Sequence, residues 1–225
     1  MSQVKEISID KVVSLDQAIS HISDGCTLMV GGFAATGSPM KIINGLVEKG
    51  VKNMTLICND TGLVDAGIGL MVVAKQFKKV IVSHIGMNPE TGKQLAAKEL
   101  EVELVPQGTL VERIRSGGFG LGGALTPTGV GTEVANSKQT LEIDGKTYLV
   151  EKPLKADVAI VKVKKADRLG NAIYHGTNIS HGPMMATAGK ITIIEADEIV
   201  EIGELDPDQI QTPSVFVDYI VQGGN

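Results

Sequence analysis

Short apolar runs alternate along this chain with stretches whose apolar residues recur at helical spacing. The runs at 27–30, 54–58, 80–83, 102–105, 158–163, 191–195 and 215–221 read as strands. Thr27-Leu-Met-Val30 reads as a short apolar run, as expected when both faces of a strand are covered. Ser14-x-x-Gln17 is a capping box ahead of Ala18, Ile19 and Ile22, and Gly25 suits the left-handed position that ends such a helix. Ser38-Pro39 supplies a cap residue and a first-turn proline before Ile42, Ile43, Leu46 and Val47, with Gly50 as the stop. A second capping box, Thr109-x-x-Glu112, starts the helix that carries Ile114. The alternation predicts an α/β fold with a single open, mostly parallel sheet flanked by helices. Asp144-Gly145 interrupts it as a β-hairpin insertion near 139–151. No repeat or linker divides residues 1–225, so one domain is expected.

Composition adjusts this picture in three ways. With 43% hydrophobic residues but only four Phe, three Tyr and no Trp, the core must be aliphatic. A net charge of −5 offers no basic stripe for a phosphate backbone, which argues against nucleic acid as a partner. No apolar run approaches the roughly 20 residues of a membrane span, and the first residues lack the hydrophobic stretch of a signal peptide. A cytoplasmic protein is expected. Cys26 and Cys58 form no C-x-x-C spacing and read as buried free thiols of a reducing compartment.

The loop after the first strand is the leading chemical feature. Gly31-Gly32-Phe33-Ala34-Ala35-Thr36-Gly37 follows a strand and precedes a helix. Glycine permits positive φ and leaves backbone amides open to a ligand, and a helix start adds unpaired N–H groups. Together these favour an anion, although an ordinary tight turn has the same residues. The spacing is neither the G-x-G-x-x-G fingerprint nor a P-loop.

Longer motifs surround it. Asp24-Gly25-x-x-Leu28-Met29-Val30-Gly31-Gly32-Phe33-x-x-x-Gly37-x-Pro39, Asn59-Asp60-Thr61-Gly62, Pro106-Gln107-Gly108-Thr109 and Ala166-Asp167-x-x-Gly170-Asn171 stand in order along the chain. In these the sequence resembles the alpha subunits of family I coenzyme A-transferases, most of all the acetoacetate-type, 3-oxoacid members, over nearly its whole length. The resemblance implies transfer of CoA between a short-chain acyl-CoA and a carboxylate by a ping-pong route. A glutamate forms a glutamyl-CoA thioester, and in two-chain members that glutamate belongs to the beta subunit. No Ser-Glu-Asn-Gly-like segment of that kind occurs here. The chain is then expected to act only with a beta subunit, as an α2β2 assembly. CoA is a substrate and no cofactor is permanently bound. Gly31 to Gly37 would hold CoA, while Gln107 and, second to it, Asn59 would support the chemistry from strand ends.

Other readings stay beside this one. A domain that binds CoA or a phosphometabolite without turnover would use the same loop, as would a sugar-phosphate isomerase of related architecture. Glu90 is an in-chain alternative for the nucleophile, but its Pro89 and Gly92 neighbours suggest an exposed turn. His175 and His181 flank Gly176 to Ser180 without acidic or Cys companions, so no metal is expected. Lys162, Lys164, Lys165 and Arg168 read as a solvated charged face. Gly117 to Gly123, continued by Thr126 to Thr132, reads as a functional or subunit-contact loop. Thr177 to Pro183 departs from the Ala-Arg-Asn-Phe-Asn-Pro stretch that the resemblance leads one to expect, which leaves substrate identity open.

Overall fold

A computed structural model describes residues 10–224; residues 1–9, on which the signal-peptide expectation rests, lie outside them. In chain order the elements are α1 Leu15–Ser20, β1 Thr27–Val30, α2 Met40–Lys49, β2 Met54–Cys58, α3 Gly69–Val73, β3 Phe77–Val82, α4 Pro89–Ala96 and β4 Glu101–Leu104. They continue with α5 Gln107–Gly118, β5 Ala124–Thr126, β6 Thr140–Ile143, β7 Lys146–Glu151, β8 Ala156–Asp167, β9 Ala172–Ile173, α6 Gly182–Ala188, β10 Gly189–Val200 and β11 Tyr219–Gln222.

Seven strands lie in the order β11-β10-β8-β1-β2-β3-β4, each pair parallel, and β9 pairs antiparallel with β8. From β1 the chain winds outward through β2, β3 and β4, then crosses back to place β8 on the other side of β1. The winding therefore reverses between β1 and β8, and in open α/β sheets ligands gather at the carboxyl ends of strands beside such a reversal.

Alternate residues of the apolar strands build two cores. Leu28, Val30, Leu56 and Ile160 meet Ile19 of α1, Ile42, Ile43 and Leu46 of α2, and Met71 of α3. Met29, Ile57, Ala159 and Val161 meet Leu110 and Ile114 of α5 and Met185 of α6. Cys58 is buried and Cys26 half-buried, and both are free thiols. The hairpin forms as expected, with Asp144 and Gly145 at φ 50° and 72°, but it belongs to a separate three-stranded antiparallel sheet that β5 completes.

Several boundaries differ from the pattern. α1 ends at Ser20, and Gly25 (φ 77°) instead turns the chain into β1. Ser38 does not cap α2; Pro39 holds that position without a side-chain bond. Thr109 lies inside α5, which already begins at Gln107, with Pro106 at the cap position and no side-chain cap bond. Gly117 and Gly118 form the last turn of α5 rather than a loop. A Cβ on either would stand 1.9 Å from the Leu154 carbonyl or the Thr187 hydroxyl, so the helix is glycine there to lie close to its neighbours. The last strand is only 219–222, because residues Ser214–Phe216 make a 3₁₀ turn after Pro213. α3, α4 and α6, of five, eight and seven residues, carry too few turns to show a clear helical period. Among the described residues no helix is long and apolar enough to cross a membrane.

Candidate active site

β1 delivers its glycine loop over the reversal point. Gly31 lies against Val161 of β8, where a Cβ would come within 3.3 Å of Cγ1. Beyond it, Phe33 and Thr36 exchange backbone hydrogen bonds of 2.9 and 2.8 Å, so the loop closes as a two-residue hairpin. Both tip residues then need positive φ, and here they are alanines: Ala34 at 54° and Ala35 at 93°. Non-glycine residues held this way store about 1–3 kcal/mol each. A matching hairpin follows β2, where Leu63 and Ala66 exchange backbone bonds. The two are packed together, since a Cβ on Gly67 would fall 2.8 Å from Ala35 Cα. Phe33, Leu63 and Val64 are left 40%, 37% and 44% exposed.

A buried carboxylate ties this loop to the next strand end. Asp60 Oδ2 accepts from Ala34 N–H at 2.8 Å and from Asn59 Nδ2 at 2.7 Å, while Oδ1 accepts from Gly62 N–H at 2.8 Å. Asn59 is equally buried. Its Oδ1 accepts from Gln107 Nε2 at 2.7 Å, and its backbone carbonyl accepts from the Ser83 hydroxyl at 2.7 Å. Four strand ends, those of β1, β2, β3 and β4, are thereby joined in one relay: Ala34, Asp60, Asn59, then Ser83 and Gln107. An amide nitrogen carries two hydrogens, so Gln107, which is exposed, keeps one donor for a ligand after serving Asn59.

The supply of free amides is smaller than the loop's composition suggests. Gly31 N–H donates to Ile160, Ala34 to Asp60, and Phe33, Thr36 and Ser38 to one another's turn carbonyls or that of Ala35. The start of α2 is occupied by the protein's own carboxylate, Glu195 on β10, whose Oε2 accepts from Ile42 N–H at 3.0 Å. Burial raises the Glu195 pKa, against which the Ile42 amide and the Lys162 charge work. Within Gly31–Gly37 the amides of Gly32, Ala35 and Gly37 remain for a ligand.

The segment between β9 and α6 closes one side. Asn178 sits against Gly37, where a Cβ would overlap its Oδ1 at 1.4 Å. Three residues on, His181 is 5% exposed; its Nδ1 pairs with the Ser180 hydroxyl at 3.2 Å and its Nε2 has no partner among the described residues. Burial lowers the His181 pKa, and the nearby Asp60 charge acts in the other direction.

Gly31–Gly37, Asn59 and Gln107 thus stand together at one edge of the sheet. Glu90 does not join them: it lies in the first turn of α4 rather than in an exposed turn, capped by Asn88 Oδ1 and paired with Lys93 at 3.2 Å. The basic cluster is largely paired, Lys162 with Asp197, Lys165 with Glu198 and Arg168 with Asp10. No group of metal-ligating side chains occurs among the described residues. Asp60 and Ser83, which the structure also brings to this edge, carry no such signal in the sequence, while His181 lies in the segment that reads as a turn or pocket wall. Asp60 sits in an Asn-Asp-Thr-Gly stretch whose composition signals a turn and masks a carboxylate that organises the loop.

Comparison with known proteins adds a family pattern to this geometry. The coenzyme A transferase family model matches residues 12–223. The acetate CoA-transferase subunit alpha of Escherichia coli is 51% identical over 211 residues, covering 94% of this chain and 96% of that one. The alpha subunit of the acetoacetyl-CoA:acetate/butyrate CoA transferase of Clostridium acetobutylicum is 48% identical over 212 residues, covering 94% and 97%. Among solved structures, an acyl-CoA transferase of Escherichia coli O157:H7 in a thioester complex with CoA superposes with TM-score 0.84 at 22% identity, covering 95% of this chain and 47% of that one. The chain thus spans about half the length of that enzyme. Glutaconate coenzyme A-transferase of Acidaminococcus fermentans gives 0.80 at 20% identity, covering 94% and 75%.

Proposed function

The chain belongs to the coenzyme A transferase family, as an alpha subunit, and from that membership we propose that it moves CoA between a short-chain acyl-CoA and a 3-oxoacid such as acetoacetate, supplying half of a site completed by a beta subunit. The observation that carries this reading is the relay from Ala34 through Asp60 and Asn59 to Gln107, which fixes an exposed amide donor beside the glycine loop.

A carboxylate oxygen of the partner attacks the thioester carbonyl, and the electron pair moves onto the carbonyl oxygen. Collapse expels CoA as thiolate and leaves a mixed anhydride. The thiolate then attacks the glutamyl carbonyl of that anhydride, releasing the first acid and forming glutamyl-CoA. The acceptor acid reverses the sequence. Dividing the exchange in this way replaces one difficult step by easier ones. Every step passes through an oxyanion, so the site needs donors aimed where that charge develops. The free hydrogen of Gln107 Nε2 meets one such oxygen, and the amides of Gly32, Ala35 and Gly37 hold the CoA side. Asp60 keeps the loop in its strained form, and Asn59 aims Gln107.

The nucleophile is assigned to the partner because, among the described residues, Glu90 is engaged in α4 and Glu195 is buried and held by the Ile42 amide at the start of α2. We further infer a single domain over residues 1–225, an α2β2 assembly, no permanent cofactor and a cytoplasmic enzyme. Co-expression with a candidate beta chain, followed by assay of CoA exchange between acetoacetate and a panel of short acyl-CoAs, tests the reading. Exchange by the complex and none by this chain alone is expected. A well-folded complex with no exchange across the panel overturns it.

A further inference from the structure

A groove of about 530 Å³ runs between α5 and the small antiparallel sheet, beginning at Pro106 and Gly108 on either side of Gln107. On the helix its wall is Gly108, Thr109, Glu112 and Arg115, and opposite stand Leu125 and Thr126. Positions 108, 112 and 115 share one helix face. From Gln107 to Arg115 the helix rises about 12 Å.

The walls are chemically uneven. Thr109 is 5% exposed, yet its hydroxyl has no partner among the described residues, although buried hydroxyls are normally satisfied. Leu125, 44% exposed, offers apolar surface. Arg115 marks the far end, paired with Glu112 at 2.7 Å, the side chains 41% and 46% exposed. So exposed a pair contributes little and yields readily to a phosphate. An occupant matched to these walls is extended, carries amides between short aliphatic links, reacts at the Gln107 end and bears phosphate at the other.

We propose that this groove seats the pantetheine arm of the acyl-CoA, with Arg115 meeting the pyrophosphate; the identity of the arm rests on the CoA-transferase reading. Gly108 gives a clean way to close the groove, since a Cβ there would meet nothing within 4 Å.

The test is equilibrium binding to the assembled complex, with CoA and pantetheine as probes. Pantetheine competes with CoA in the wild type. Gly108→Phe weakens both by at least about tenfold, which corresponds to about 1.4 kcal/mol. Arg115→Ala weakens CoA by about tenfold, as loss of one charge-assisted contact, and leaves pantetheine unchanged. Affinities unmoved by either variant, failure of pantetheine to compete, or failure of Gly108→Phe to assemble with the partner would each overturn the proposal. The last would mark the groove as a protein contact. These readouts need no turnover, so a complex that binds as described yet transfers nothing leaves the groove assigned and removes the transferase reading.

Discussion

Gln107 and Asn59, 48 residues apart, are joined by a hydrogen bond of 2.7 Å from Nε2 to Oδ1. The bond turns an exposed side chain with several free torsions into a fixed donor. If Gln107 serves an oxyanion, Gln107→Ala should lower kcat of the complex about 10²-fold, the usual loss for one such donor. Asn59→Ala should act mainly by misaiming Gln107. The double variant should then fall well short of the product of the single losses, because the residues share one interaction. Steady-state kinetics of the four complexes reads this directly; independent, multiplicative losses would separate the two residues.

The tip of the glycine loop holds a stability prediction. Ala35 at φ 93° is strained by about 1–3 kcal/mol, whereas glycine there would cost only about 0.4–1 kcal/mol of extra unfolded-state freedom. Ala35→Gly should therefore stabilise the chain by about 1 kcal/mol, raising Tm by about 2–4 °C. Gly32→Val goes the other way. Gly32 has φ 135°, and an added Cβ would lie 2.7 Å from the Ser38 hydroxyl. It should destabilise the loop and abolish transfer in the complex. Thermal melts and exchange assays of both variants decide it.

Thiol chemistry should report the burial of both cysteines in the core formed with α1, α2 and α3. Burial, with the Asp60 charge behind it, pushes the Cys58 thiol up to about 12, and burial also raises that of Cys26. Since the thiolate is the nucleophile, an alkylating reagent at pH 8 should leave Cys58 unmodified in the native chain and label both cysteines once it is unfolded. Peptide mapping after each treatment shows the pattern.

His181 should make stability depend on pH in a stated direction. Its folded pKa is lowered by burial, so below about pH 6.5 the unfolded chain takes up a proton that the folded one refuses. Stability from this group is complete above about pH 6.5 and is lost as pH falls from there through the folded value, by at most about 1.4 kcal/mol per pH unit. Denaturant titrations of the wild type and His181→Phe between pH 7.5 and 5 should show this component only in the wild type.

Much of the framework was legible because the strands are nearly uniform apolar runs and the glycine loop follows one of them. Asn59 and Gln107 could be placed at strand ends for the same reason. The rest depended on contacts distant in the chain. Ser38 looked like a helix cap, but Glu195, 153 residues from Ile42, takes that role. Thr109 looked like another, and is instead a buried hydroxyl inside α5. Gly117 and Gly118 looked like loop residues because close packing against Leu154 and Thr187 leaves no trace in local pattern. Asp60 was hidden by turn-forming neighbours, and only the fold shows the loop amide that it holds.

The central claim is that this chain completes a site whose nucleophile stands on another subunit. Incubating the complex with acyl-CoA, trapping with borohydride and mapping the peptides by mass tests it most directly. The expected result is reduction of a single glutamate on the beta subunit, lost when the acceptor acid is added first. Modification of Glu90 or any other residue of this chain, or no modified glutamate in an actively transferring complex, would contradict it.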